Sequence, residues 1–228
     1  MKSLTPADAY VFDIDGTLLV TQDLVHWNAL HRAMVEAYGV DTTIEGLPYH
    51  GMTDLSILRA ALSRAGINDG AFESGLPRAL EVVCREVEAN RRQIVPQVCP
   101  GIPALLMKLR QQRMLLGVAS GNLETVGWHK IEAAGLREHF SFGFFSDRCE
   151  HRADIFQNAM NHAASQLGAN VRVCFVGDTP SDVHAAKEVG ASVVSVASGT
   201  FSVADLAACS PDLCIANCGE LLALTPKE

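Results

Sequence analysis

Residues 10–17 read Tyr10-Val11-Phe12-Asp13-Ile14-Asp15-Gly16-Thr17. An apolar run ends in two carboxylates one residue apart, followed by glycine and threonine. In an extended segment, residues i and i+2 project to the same side, so Asp13 and Asp15 face one small volume at a strand end. Two bare carboxylates there repel each other, and a metal ion, a shared proton or a cation must hold them. Gly16 permits a tight turn that leaves backbone N–H groups free to meet an anion. Read alone, the stretch also fits an acidic turn capping the next segment.

A matching stretch lies far downstream, Val171-Arg172-Val173-Cys174-Phe175-Val176-Gly177-Asp178-Thr179-Pro180-Ser181-Asp182. A β-branched and aromatic run again stops at glycine and carboxylate, with another acid four residues on. Pro180 suits the first turn of a helix, which places Asp182 near that helix's N-terminus. Four acids from two distant segments are the oxygen ligands that a hard divalent cation such as Mg2+ requires.

Outward from these two stretches, strand-like runs occur at 9–13, 114–119, 141–145, 171–176 and 192–196, with a weaker one at 212–215. Helical periodicity fills 101–112, 124–134, 153–167 and 180–189. Strands alternating with helices predict an α/β chain with a doubly wound parallel sheet covered on both faces. Ligands in such sheets bind beyond the carboxyl ends of the strands, where Asp13, Ser120 and Asp178 converge. The exception is 18–98, with helical patterns near 22–38, 53–65 and 71–93 and no convincing strand. This predicts a core of 1–17 with 99–228 and a helical domain at 18–98, joined by linkers near Leu18–Thr21 and Val95–Gly101.

The 228 residues, 48% hydrophobic, can bury a substantial core. A formal charge of −8 argues against nucleic acid or an anionic membrane as partner. No stretch of about 18 apolar residues predicts a membrane span, and no secretory signal is visible. Seven scattered cysteines fit a reducing cytosol, so a cytoplasmic location is expected. Cys209, Cys214 and Cys218 lie close together without a Cys-x-x-Cys pair and read as small buried hydrophobes.

The order Asp-x-Asp-Gly-Thr resembles the nucleophile motif of the haloacid dehalogenase superfamily, and Gly177-Asp178-Thr179-Pro180-Ser181-Asp182 resembles its acidic metal motif. The helical segment after the first motif is similar to the cap domain of members with a small helical cap. The resemblance implies that Asp13 is a carboxylate nucleophile and Asp15 a general acid and base. It implies Mg2+ held by Asp13, the backbone carbonyl of Asp15, and Asp178, with Asp182 orienting ligands from behind. Gly16 and Thr17 would shape the phosphate loop, Thr17 bonding to Asp15. Ser120, with the N–H groups of Gly121 and Asn122, would bind phosphate oxygens after the strand 115–119.

The family's usual Lys-Pro stretch before the last motif is missing here. Lys130, on the helix after Gly121-Asn122-Leu123-Glu124, is the favoured active-site cation, and Arg152 is the second choice. In the helical segment, Thr53 and Arg59 are candidate substrate contacts, with Thr53 or Asp54 as a plain helix N-cap the competing reading. His26 reads as a partly buried helix residue.

Asp15 argues against a dehalogenase, whose halide leaves without protonation. Residues 18–98 contain no lysine, which excludes Schiff-base phosphonate chemistry. The implied function is a Mg2+-dependent phosphatase for a small phosphorylated metabolite, phosphoglycolate-like or sugar-phosphate-like. A β-phosphoglucomutase-like mutase is the alternative within the family. A non-catalytic phosphate-binding or receiver-like domain is the alternative outside it, though receivers are about half this length.

Overall fold

Strand β1 (Ala9–Phe12) is buried on both faces, and its side chains divide the molecule into layers. Tyr10 and Phe12 join one apolar cluster, while Ala9 and Val11 join another. Successive strand residues point to opposite faces, so a run apolar at every position has to lie inside a sheet covered on both sides. The computed structural model describes residues 7–224.

From β1 the chain passes through β2 (Leu19–Thr21), three helices, α1 (Val25–Tyr38), α2 (Asp54–Arg64) and α3 (Asp69–Asn90), and then β3 (Pro96–Val98). It continues through α4 (Ile102–Gln111), β4 (Leu115–Ala119), α5 (Glu124–Ala133), β5 (Phe142–Phe144), α6 (Arg152–Leu167), β6 (Val173–Gly177) and α7 (Pro180–Glu188). The last elements are β7 (Ser192–Val196), α8 (Val203–Ala208), β8 (Leu213–Ile215) and α9 (Cys218–Leu224). The main sheet has six strands in the order β5-β4-β1-β6-β7-β8. All its pairings are parallel, as the alternating pattern predicts.

One face of the sheet packs on α4, α5 and α9 through Leu105, Leu106, Ile131 and Leu221. The other packs on α6 and α7 through Ile155, Phe156, Val183 and Ala186. Helices α1–α3 form their own apolar cluster, which also takes in Leu123 and Val126 at the start of α5. Among the described residues no helix is long and apolar enough to cross a membrane.

Within 18–98, where no convincing strand is expected, the structure has two. Leu19–Thr21 and Pro96–Val98 pair as a short antiparallel ribbon, with Leu19 opposite Val98 and Thr21 opposite Pro96. The Cys99 N–H donates to the Leu18 carbonyl at 2.9 Å. Entry to and exit from the α1–α3 layer are therefore tied to each other by backbone hydrogen bonds.

Candidate active site

Asp13, Asp15, Ser120 and Asp178 come together at the carboxyl end of the sheet, around the adjacent strands β4, β1 and β6. The Asp13 N–H donates to the Val176 carbonyl at 2.9 Å, so β6 sets its position. Thr179 and Asp182 form a reciprocal cap at the start of α7, with Pro180 in its first turn. Carboxylate oxygens of Asp13, Asp178 and Asp182 lie within 4.8 Å of one another, and all three residues are buried. Burial pushes Asp13 well above the usual carboxylate range; Arg152 opposes the shift, while Asp182 and Asp15 add to it. Burial pushes Asp178 in the same direction, reinforced by Asp13 and Asp182. Three hard oxygen donors that repel each other in a closed site fit a divalent cation such as Mg2+.

Asp178 is enclosed from two sides. A Cβ on Gly16, whose φ is 84°, would lie 2.2 Å from Asp178 Oδ2, and one on Gly199 would lie 1.8 Å from it. Thr17 Oγ1 donates to Asp178 Oδ1 at 3.0 Å. The bond expected from Thr17 to Asp15 is therefore not made, because the turn at Gly16 aims the hydroxyl across to β6. Asp182 lies in the cluster itself, yet both of its oxygens are engaged: Oδ2 accepts from the Thr179 N–H at 3.0 Å, and Oδ1 pairs with Arg152.

The two candidate cations divide between the two motif acids. Arg152 Nη1 lies 3.3 Å from Asp13 Oδ1, and its guanidinium also pairs with Asp182. Lys130 Nζ donates to both oxygens of Asp15, at 2.9 and 2.8 Å, and to Asn122 Oδ1 at 2.9 Å. The cation against Asp13 is thus Arg152, not the favoured Lys130. Enclosure by protein raises Asp15, but the Lys130 ammonium, with hydrogen bonds from Lys130 and Asn122, brings it below the usual carboxylate range. Asn122 Nδ2 reaches Asp15 Oδ2 at 2.7 Å and Ser120 Oγ at 2.8 Å. Ser120, Gly121 and Asn122 line the same cavity as the acids.

That cavity has a volume of about 540 Å³ and lies between the sheet end and the α1–α3 layer. Thr53 and Arg59 do not line it. Thr53 is the N-cap of α2, in reciprocal bonds with Ser56, and its hydroxyl also donates to the Glu150 carbonyl at 2.7 Å. Arg59 is held by Glu150, Glu73 and Asp69 and stacks 4.1 Å over the Phe72 ring. A guanidinium already shared among three carboxylates is not open to a substrate anion.

Other residues reach the site too, among them His26, read from the sequence as a partly buried helix residue, and Asp54, read as an N-cap candidate. His26 Nδ1 lies 3.3 Å from Lys130 Nζ, and its Nε2 lies 3.1 Å from Asp54 Oδ2. With the ammonium beside Nδ1, that nitrogen accepts and Nε2 donates. Asp54 also accepts from the Leu123 N–H at 2.8 Å, and its own N–H donates to the Gly121 carbonyl at 2.7 Å. The start of α2 is thereby pinned to the loop after β4. Ser198 donates to the Gly16 carbonyl at 2.7 Å, which brings Gly199 over Asp178.

The chain is 28% identical over 221 residues to a phosphoglycolate phosphatase of Synechococcus elongatus, covering 94% of this chain and 95% of that one. It is 26% identical over 223 residues to a probable phosphatase, IndB, of Dickeya dadantii, covering 93% and 90%. A solved structure of a predicted phosphoglycolate phosphatase from Haemophilus somnus matches with a TM-score of 0.69 at 18% identity, covering 98% of this chain and 100% of that one. The family model described as haloacid dehalogenase-like hydrolase matches residues 10–196, and the chain belongs to that family.

Proposed function

We propose that this hydrolase is a Mg2+-dependent phosphatase that cleaves a small-molecule phosphate monoester through an aspartyl-phosphate on Asp13. The observation that carries the reading is the buried cluster of Asp13, Asp178 and Asp182 beside an Asp15 held by Lys130. Asp13, the backbone carbonyl of Asp15 and Asp178 would hold the ion, with Asp182 fixing their arrangement. Bound Mg2+ supplies charge that lets a phosphate dianion approach a carboxylate.

The chain's own groups then divide the work. A carboxylate oxygen of Asp13 attacks phosphorus and the bond to the leaving alcohol oxygen breaks. Asp15 supplies the proton that oxygen needs. Water attacks the phosphorus of the acyl phosphate, Asp15 takes its proton, and inorganic phosphate leaves with Asp13 restored. Paired with Lys130, Asp15 rests as a carboxylate, suited to the second step. Acting as an acid first requires Asp15 to take up a proton from solvent as Lys130 turns toward the phosphoryl oxygens, where it and Ser120 offset developing charge. Residues 18–98 serve as a cap that encloses the leaving group, and residues 1–17 and 99–228 as the catalytic core.

The test is phosphate release from p-nitrophenyl phosphate. Release that requires Mg2+ and is lost in Asp13→Asn supports the reading; equal release by wild type and Asp13→Asn overturns it. A β-phosphoglucomutase-like mutase would instead require a sugar bisphosphate for turnover.

A further inference from the structure

Above the acids, the cavity wall is apolar and aromatic. Trp27, Leu30, Ile44, Tyr49 and Ile57 line it from the α1–α3 side. The Trp27 and Tyr49 rings meet edge to face with centroids 5.8 Å apart. Val20 and Leu24, 41% and 62% exposed, carry the apolar lining out to the rim. Large apolar side chains clustered around a mouth mark a ligand-binding surface more than a packing accident.

The charges point the same way. The lining holds five carboxylates, Asp13, Asp15, Asp23, Asp54 and Asp178, against two cations, Lys130 and Arg152. Both cations are already paired, Lys130 with Asp15 and Arg152 with Asp13 and Asp182. The lining histidines are bonded too, His26 to Asp54 and His50 to Thr200 at 3.3 Å. Among the described residues of the wall, no uncommitted lysine or arginine is left to meet a second anion on the substrate. A volume of about 540 Å³ leaves room for a ring beyond the phosphate.

We infer that the alcohol side of the substrate is uncharged and carries a planar apolar group, laid against Trp27, Tyr49 and Ile57. This rests on the phosphatase reading above. A carboxylate in the same place would meet Asp23 and Asp54 with no cation to offset it.

The experiment compares kcat/KM for three primary alkyl phosphates: ethyl phosphate, 2-phenylethyl phosphate and phosphoglycolate, each with Mg2+. The expected order puts 2-phenylethyl phosphate about tenfold or more above ethyl phosphate, and phosphoglycolate below both. In Trp27→Ala the ratio between the two alkyl esters falls several-fold, a readout that cancels the amount of folded enzyme. Phosphoglycolate above ethyl phosphate, or no gain from the phenyl group, overturns the inference while leaving the phosphatase reading intact. No Asp13-dependent release from any of the three overturns both.

Discussion

Lys130 holds the carboxylate of Asp15 through both oxygens, at 2.9 and 2.8 Å, from a helix that begins 109 residues later in the chain. The ammonium is buried and faces Asp15, Asn122 and His26 Nδ1. The group that sets the charge state of Asp15 is therefore separate from Arg152, which lies against Asp13. Lys130→Met is expected to lower kcat by about 10²-fold or more. Because Lys130 does not touch the Asp13, Asp178 and Asp182 cluster, the same variant is expected to show the same rise in Tm with Mg2+ as that expected of the wild type. Phosphate-release kinetics and thermal unfolding with and without Mg2+ check the two halves.

Arg152 has the opposite profile. Its side chain is 8% exposed between Asp13 and Asp182, and its charge offsets theirs in the metal-free protein. Arg152→Met leaves buried carboxylates uncompensated and is expected to cost about 3–5 kcal/mol of stability without metal. Urea unfolding in EDTA measures the loss, and Mg2+ is expected to restore part of it.

Gly199 tests the enclosure of Asp178. An added methyl group there would lie 1.8 Å from Asp178 Oδ2, so either the loop or the carboxylate has to move. Gly199→Ala is expected to weaken Mg2+ binding by about 10–100-fold, read by titration calorimetry. The fold should survive, because the loop lies at the cavity edge.

Stability and pH are linked through the same acids. Asp13 and Asp178 bind protons more tightly in the folded chain than in the unfolded one, where carboxylates titrate near 3.8. At these two sites the folded state thus holds more protons, and their contribution to metal-free stability falls as pH rises from about 4 through neutrality. Under the proposed function, bound Mg2+ would take the place of those protons. The gain in Tm from Mg2+ is therefore expected to be larger at about pH 8 than at about pH 5. A gain that shrinks with rising pH contradicts the assignment.

Much of this was legible in the chain. Runs such as Ala9–Phe12 and Val173–Gly177 are apolar at every position, as strands of a doubly covered sheet are, and each is followed directly by an acid. The β2–β3 ribbon was not legible, since three-residue strands carry too little pattern. Nor was the division between Lys130 and Arg152, because the choice depends on which way α5 and α6 face the sheet end. Gly199 had no local signature, and Asp54 had only that of a helix N-cap candidate. Their roles arise from contacts between residues far apart in sequence, with Asp178 and with Leu123.

The most direct test of the central claim is peptide mapping by mass spectrometry of enzyme quenched in acid during turnover with Mg2+. A phosphoryl group is expected on the peptide carrying Asp13, absent in EDTA and absent from Asp13→Asn. Turnover with no phosphoryl group on that peptide, together with an Asp13→Asn variant as active as wild type, would contradict it.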